Sequence, residues 1–346
     1  MKRCLLVVTL LNVVTFSYAQ DWTWLYRKNF AAHNNTRKTH VFFGKDTVPL
    51  FTQLIFSWNV LRPKKGHFSF FVQVRDSQTK KWGQWHHMVD WGADIQKTYM
   101  SKSDGVSSYV HVRLELDDKK YADGFRIKIE AVNGASCDVI HNVSVALSHF
   151  GLFKPESCDF SSKKMRTVIL QDVPAIAQFA LDHDEKHRIC SPISCAMMVR
   201  YMTGQVNNED LPHFVAGVFD AGLSIYGSWP CNIAQAYESC NGAAHFFVRR
   251  LNSFVDIYKQ LIAGTPVVVS VRGNLPGALK PFPHGHLMVV IGWDNENRQV
   301  VCHDPASEDH DMVLKNYAIE DFIKAWECSH RLAYLVEKTS VVSAKK

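Results

Sequence analysis

A cysteine stands at the start of a predicted helix in the middle of the chain. In the sequence RICSPISCAMM, Cys190 comes two residues before a proline that suits a first helical turn, and the pattern predicts a helix over Pro192–Met202 that ends at Gly204. Backbone N–H groups and the positive dipole end at a helix start favour a thiolate and can stabilise an oxyanion. Cys190 is therefore a candidate nucleophile, whereas Cys195, inside the helix, is expected to pack as a small hydrophobe.

A histidine and an aspartate occupy the two arms of a predicted hairpin further along the chain. The apolar run HLMVVIG begins at His286, the polar stretch WDNENR predicts a turn, and QVVCHDP returns to Asp304. A pivot near Asn295 would set His286 and Asp304 directly opposite each other on one face, with Cβ atoms about 5 Å apart. A carboxylate there would orient the imidazole and stabilise its protonated form.

Together these three residue types predict acyl chemistry through a thioester on the cysteine. Gln178, upstream of Cys190, is a candidate oxyanion donor through its side-chain amide, or else a polar surface residue.

A zinc site is the alternative for part of the same sequence, because imidazole and carboxylate groups are common zinc ligands. The candidate ligands are His284, His286, His303, Asp304 and His310. On a strand, however, His303 points to the face opposite Asp304, and zinc would leave Cys190 without a role. We therefore predict neither a metal nor another cofactor.

The first residues are typical of a secretory signal peptide over residues 1–19. Lys2 and Arg3 precede an apolar stretch from Cys4 to Phe16, and small residues end at Ala19. The stretch is shorter than the roughly 20 residues that a spanning helix needs. We expect cleavage after Ala19 and a secreted or periplasmic protein with no transmembrane segment.

Length, charge and cysteine content bound the protein class. A chain of 346 residues suits two domains. Its 39 basic and 33 acidic residues give a net charge of +6, with no long basic run, which argues against a nucleic-acid partner. Of nine cysteines, Cys4 would leave with the signal peptide. Cys137 with Cys158, and Cys231 with Cys240, are the pairings that proximity suggests, although spacing does not fix the connectivity.

Period-two alternation dominates the first half of the chain. It is clearest over residues 110–116 (VHVRLEL) and 125–130 (FRIKIE), and polar breaks at 62–66 and 117–120 separate such runs. This pattern predicts an antiparallel β-sandwich over residues 20–158.

The second half has a mixed pattern after a polar linker at 159–164. Helices are predicted over 192–202 and 232–238, and strands over 266–271, 286–292 and 299–303, which together indicate an α+β domain over 165–340.

Three tryptophans of the first half have two interpretations. Trp82, Trp85 and Trp91 could stack on a carbohydrate or grip a cell-surface partner, or they could fill the core of the sandwich.

The second half resembles the secreted papain-clan peptidases related to the bacteriocin-processing peptidases. The matching motifs are Val173-Pro174 with Gln178, Cys190-Ser191-Pro192, Gly227-Ser228-Trp229-Pro230, Ala263-Gly264-Thr265-Pro266, Gly285-His286-Leu287 and Asp304-Pro305. The resemblance implies a papain-like cysteine peptidase domain that acts on a peptide or protein. In it Cys190 would be the nucleophile, His286 the general base and acid, Asp304 the orienting residue and Gln178 the oxyanion donor.

The first half resembles a module that precedes this domain in some secreted members, notably at Ser57-Trp58-Asn59. One departure is Ile193, which stands where threonine is frequent. A transglutaminase-like acyl transferase and a non-catalytic surface-binding protein remain as alternatives, since the first uses the same residue types and the second needs none of them.

Overall fold

The computed structural model describes residues 21–30, 38–158, 165–204 and 210–338. The predicted signal peptide and linker lie outside these ranges. No helix among the described residues is long and apolar enough to cross a membrane.

Strands dominate the first half. They are β1 (Thr23–Asn29), β2 (His40–Lys45), β3 (Gln53–Val60), β4 (His67–Asp76), β5 (His86–Gly92), β6 (Gln96–Thr98), β7 (Ser107–Val110), β8 (Arg113–Leu116), β9 (Ala122–Val132) and β10 (Ile140–Ser148). Two short 3₁₀ helices, Cys137–Val139 and Phe150–Leu152, flank β10.

These strands form two antiparallel five-stranded sheets, ordered β1-β10-β3-β8-β7 and β2-β9-β4-β5-β6. Alternate residues of both sheets point into one shared apolar cluster. Trp58 of β3 stacks on Phe70 of β4, for example, with ring centroids 4.6 Å apart. In β9 the alternation read from the sequence identifies the buried face, since successive side chains point to opposite faces, whereas β3 is buried on both faces.

The run 110–116 is not the single strand that we predicted. His111 adopts a left-handed backbone conformation (φ 55°), and Val110 pairs with Arg113, so the run is a tight hairpin between β7 and β8. A two-residue turn without glycine or asparagine carries no turn signal. Two local predictions are confirmed: residues 125–130 lie within β9, and the breaks at 62–66 and 117–120 separate strands.

The second half combines one antiparallel sheet with a few helices. Its elements are β11 (Val168–Ile169), α1 (Cys190–Thr203), α2 (Leu211–Gly217), α3 (Trp229–Ser239), β12 (Ala244–Arg250), α4 (Phe254–Ile262), β13 (Val267–Gly273), β14 (Phe282–Asp294), β15 (Gln299–His303), a 3₁₀ turn (His310–Met312), β16 (Leu314–Ala318), α5 (Ile319–Glu327) and β17 (Leu332–Lys338).

The sheet order is β12-β17-β13-β14-β15-β16, and β11 pairs with β14. Helices α1 to α3 pack in one apolar cluster and α4 and α5 in another, with sheet residues of alternating direction in each. The predicted helices and strands of this half are all present. Helix α1 begins two residues earlier than predicted and ends, as predicted, at Gly204 (φ 69°).

The two halves meet along β3 and β12. Asn59 accepts the backbone N–H of Phe246 at 2.8 Å and donates to its carbonyl at 2.9 Å, while Ser57 accepts the N–H of Val248 at 3.3 Å. Strand β12 is the edge of the second-half sheet, so these side chains take up hydrogen-bonding groups that an edge strand leaves unpaired. The Ser57-Trp58-Asn59 motif therefore makes contacts on both faces of β3: Ser57 and Asn59 bind β12, and Trp58 packs in the core of the first half.

None of the eight described cysteines is in a disulfide, so the pairings suggested by proximity are not formed. Cys231 lies in the first turn of α3 and Cys240 directly follows its last residue, so a rise of nine residue steps separates their Cα atoms by about 13 Å, well beyond disulfide reach.

Candidate active site

Helix α1 is fixed against the sheet at its first turn. Cys190 is its first residue, rather than the residue before it. The hydroxyl of Ser194 donates to the carbonyl of Leu287 at 2.9 Å, and the hydroxyl of Ser191 hydrogen-bonds that of Tyr334 at 2.9 Å. Both bonds are buried, so they hold the helix start in register with β14 and β17.

The cysteine, histidine and aspartate lie together. The Nε2–H of His286 donates to Oδ1 of Asp304 at 2.6 Å, and the ring also hydrogen-bonds the sulfur of Cys190. Since Nε2 is taken by the carboxylate, Nδ1 is the ring atom left for the sulfur. The backbone N–H of Leu287 donates to the sulfur as well. His286 and Asp304 are buried, with 4% and 0% of their surfaces exposed.

The electrostatics of the cluster favour a thiolate–imidazolium pair. Burial raises the pKa of the Cys190 thiol, but the charge and hydrogen bond of His286 and the N–H of Leu287 outweigh it and lower the pKa below its ordinary value. Burial lowers the pKa of His286, but the charges of Asp304 and Cys190 outweigh it and raise the pKa well above the usual range. Each group thus stabilises the charged form of its neighbour.

Asp304 is held by two further donors. The backbone N–H of Ala306 donates to Oδ1 at 2.9 Å, and the hydroxyl of Tyr317 donates to Oδ2 at 2.8 Å. Burial raises the pKa of Asp304, but the imidazolium and these donors outweigh it, so the net pKa is lowered. Tyr317 lies on β16 and carries no signal in the sequence, because its contact depends on how β16 pairs with β15.

A second residue that the sequence did not reveal is Phe282, the first residue of β14. Its ring stacks on that of His286, with centroids 4.1 Å apart and planes within 11° of parallel. The stacked ring covers one face of the imidazole, so it restricts both the orientation of the ring and the access of water.

The hairpin places His286 and Asp304 on one face, but not directly opposite each other as predicted. Asp294 pairs with Gln299, and a β-bulge between Val290 and Gly292 shifts the register so that Val289 pairs with His303. Extending this register puts Asp304 opposite Met288, two positions from His286. An offset of two keeps the same face, because side chains alternate with period two. The side chains therefore still meet, but diagonally.

Gln178 lies outside this hydrogen-bonded chain. Its side-chain amide donates to the carbonyl of Lys186 at 2.8 Å, and its backbone N–H donates to Pro305 at 2.8 Å. The residue is 2% exposed. The second bond ties its loop to the residue that follows Asp304, and the side-chain amide has one N–H left over.

Two of the histidines proposed for zinc have other partners, and a third, His284, is exposed at the start of β14. His303 Nδ1 donates to the carbonyl of Pro174 at 3.1 Å, and His310 Nδ1 accepts the N–H of Ala177 at 3.1 Å. Within the described ranges no group of three or more His, Cys, Asp or Glu residues is arranged to hold a metal ion. Cys195 is fully buried, and burial raises its pKa.

This combination of sheet, helix and cysteine–histidine–aspartate cluster is of the cysteine-peptidase type. A model of the Peptidase C39 like family matches residues 170–334 of the chain. The resemblance read from the sequence motifs is thereby confirmed.

Two solved structures are similar in part. One is a Bacillus anthracis protein assigned as a C39-like peptidase (20% identity, 50% of this chain and 100% of that chain, TM-score 0.37). The other is xylellain, a cysteine protease from Xylella fastidiosa (11% identity, 54% of this chain and 91% of that chain, TM-score 0.27). No curated protein matches the chain.

Proposed function

We propose that this protein is a cysteine peptidase or amide hydrolase with Cys190 as nucleophile, His286 as general base and acid, and Asp304 as the orienting residue. The observation that carries the proposal is the continuous chain of hydrogen bonds from the sulfur through the imidazole to a buried carboxylate. Such a chain supports a thiolate at neutral pH.

In the first half-reaction, the thiolate of Cys190 attacks the carbonyl carbon of the scissile amide. The carbonyl oxygen becomes an oxyanion, and backbone N–H groups at the start of α1, with Gln178 as a candidate, are the available donors. The imidazolium of His286 gives its Nδ1 proton to the leaving nitrogen as the C–N bond breaks. An amine leaves, and the acyl group stays on sulfur as a thioester.

In the second half-reaction, neutral His286 takes a proton from a water molecule that attacks the thioester. The C–S bond breaks, a carboxylic acid leaves, and the thiolate–imidazolium pair forms again. Asp304 holds the imidazole in one orientation throughout and stabilises its protonated form.

The test compares two cysteines of the same helix. Cys190→Ala should abolish peptide cleavage and the fast phase of iodoacetamide labelling at neutral pH, so that only slower labelling of other thiols such as the exposed Cys328 remains, with an unchanged melting temperature. Cys195→Ala should leave activity largely intact, because that thiol is buried and neutral. Equal loss in the two variants would contradict the assignment. His286→Ala should slow acylation by about a hundredfold or more.

An acyl transferase of the transglutaminase type is the second candidate, since an amine in place of water would resolve the same thioester. Products separate the two: new amide bonds with added primary amines would identify transfer. A non-catalytic surface-binding protein is the third candidate, and it predicts no iodoacetamide-sensitive turnover.

The rest of the architecture belongs to the same proposal. We propose that the two first-half sheets form a β-sandwich module, that residues 165–340 form a papain-like domain, and that the chain is exported after cleavage at Ala19. The shared apolar core of the two sheets supports the first part, and the N-terminal sequence pattern supports the last.

The outer face of the sheet β2-β9-β4-β5-β6 supports a proposed contact with a carbohydrate or a cell surface. Trp91 is fully buried and Trp82 half-buried, which fits the core interpretation, but Trp85 is 36% exposed. It lies beside a row of side chains paired across neighbouring strands: Phe42, Lys128, Phe71 and His87. Phe71 and His87 stack on each other, so the exposed aromatic surface belongs to Phe42 and Trp85, and exposed aromatic rings can stack on sugars.

A binding assay on insoluble polysaccharides would test this contact. Phe42→Ala and Trp85→Ala should reduce retention, while Leu314→Ala, which removes a still more exposed apolar side chain on β16, should not. Equal retention of all three variants would remove the carbohydrate proposal.

A further inference from the structure

A cavity of about 290 Å³ lies between the two halves of the chain. Gln53, Arg113 and Glu115 line it from β3 and β8. Arg250 lines it from the end of β12, and Ser270 and Arg272 line it from the second half of β13. Its volume suits a single amino-acid side chain or a chain terminus rather than a large cofactor.

The lining is positively charged. Three arginines against one glutamate leave +2, with histidine neutral. Glu115 is already engaged, because it forms a salt bridge with Arg113 and accepts a hydrogen bond from Gln53. In the described part of the chain, no carboxylate lies within salt-bridge distance of Arg250 or Arg272.

Arg250 is the most unusual of these groups, since it is only 5% exposed. Its guanidinium donates to three neutral oxygens: Oε1 of Gln53 at 2.9 Å and the carbonyls of Ser329 and His330 at 2.7 and 2.9 Å. Burial, with a smaller effect of Arg113, lowers its pKa to about 9. A buried cation held only by neutral groups is costly, and an anion in the cavity would offset that cost.

The cavity adjoins the cysteine cluster. Ser270 pairs across the sheet with Leu287, whose N–H donates to the sulfur of Cys190. Paired Cα atoms lie about 5 Å apart. Since an extended peptide rises about 3.3 Å per residue, we expect the Ser270 side of the cavity to lie within about one to three residues of a bond held at the sulfur.

We propose that this cavity binds a carboxylate of the substrate, so that the enzyme prefers peptides with an acidic group close to the scissile bond. The inference rests on the proposed function. Arg250 has its Nη2–H groups left for the carboxylate, because its Nε–H and Nη1–H groups are already donated, and Arg272 supplies a planar fork that can match a carboxylate in two parallel hydrogen bonds. The carboxylate comes either from an Asp or Glu side chain or from the C-terminus of a short substrate.

The kinetic test uses the full chain and acetylated hexapeptide amides that carry Glu or Gln at one position, scanned along the peptide. At one position the Glu peptide should have a kcat/KM about tenfold or more above its Gln partner. Arg272→Gln, at an exposed position, should reduce that ratio towards one, and Arg298→Gln, at the distant β14–β15 turn, should keep it. A third series of peptides carries Gln at the scanned position and a free C-terminal carboxylate, and it shows whether the carboxylate comes from a side chain or from the C-terminus of the substrate.

A binding test separates failure of this inference from failure of the proposed function. The Cys190→Ala protein is titrated with the same Glu and Gln peptides by calorimetry. Tighter binding of the carboxylate peptide without turnover in the wild type would overturn the peptidase assignment alone. Turnover with no preference for either carboxylate source, or a preference that survives Arg272→Gln, would overturn the cavity assignment alone.

Discussion

Replacing Asp304 with asparagine separates the charge of that side chain from its position. Oδ1 of asparagine can still accept from His286 and from the N–H of Ala306, as the aspartate does at 2.6 and 2.9 Å. Its amide nitrogen can donate to the hydroxyl oxygen of Tyr317, which then acts as acceptor. Asp304→Asn should therefore fold normally and keep the imidazole in place, but without the buried negative charge.

The charge sets the expected size of the effect. Two unit charges about 4 Å apart interact by about 4 kcal/mol at an effective dielectric constant of 20, which is about three pKa units. The amide dipole of asparagine replaces part of this interaction energy, so the pKa of His286 should fall by about one to three units. Activity is lost as the imidazolium deprotonates, and the upper limb of the pH profile should therefore move to lower pH.

The lower limb should move in the same direction but by less. The charge of Asp304 raises the pKa of the Cys190 thiol, and it is the smallest of the contributions on that group. Removing it therefore lets the thiolate form at slightly lower pH. A narrower and more acidic pH window is the signature expected of Asp304→Asn.

The assay is the rate of iodoacetamide alkylation of Cys190 from pH 3 to 11, followed by mass spectrometry, with kcat/KM measured over the range where the protein is stable. Tyr317→Phe is the matched control, since it removes one hydrogen bond from the carboxylate and leaves the charge. It should lower the rate while moving the upper limb much less. An upper limb that stays in place in Asp304→Asn would refute the electrostatic reasoning.

Three further predictions concern residues around this cluster. If the side-chain amide of Gln178 donates to the oxyanion, Gln178→Ala should lower kcat by about a hundredfold or more with little change in KM. A lowered melting temperature with normal kcat would show instead that the side chain acts only through its hydrogen bond to Lys186. Phe282→Leu should cost about 1 kcal/mol of stability from the lost stacking on His286, measured by urea unfolding. Asn59→Ala should cost about 1–3 kcal/mol, because it leaves two backbone groups of Phe246 unpaired in a buried seam, and an unchanged unfolding midpoint would show that water replaces the side chain.

Much of the secondary structure could be predicted from short sequence patterns. Gly204 marks the end of α1 because a left-handed residue is needed there, and alternation over 125–130 marks a strand because one face is buried. Neither signal depends on distant residues. The prediction of one strand over 110–116 was wrong because the alternation continues through a two-residue turn, and a local pattern does not reveal that turn.

The candidate site likewise has features that the sequence predicted and features that it did not. The types and order of Cys190, His286 and Asp304 were readable, because each stands at a recognisable helix start or strand end. The diagonal offset of His286 from Asp304 was not, because it depends on a β-bulge that inserts a residue without a sequence signal. Tyr317 and Phe282 reach the cluster from other parts of the sheet, and only the pairing of strands brings them there.

The seam between β3 and β12 also forms one wall of the charged cavity. The β3 side chains that complete the edge of β12 lie on the same face as Gln53, which accepts from the buried Arg250. Strand β8, which pairs with β3, supplies Arg113 and Glu115 on that face. The cysteine cluster is built from the second half alone, but the charged cavity beside it exists only where both halves meet. If that cavity selects the substrate, the β-rich half is part of the specificity of the enzyme, and its removal should change which peptides are cleaved and not only how stable the protein is.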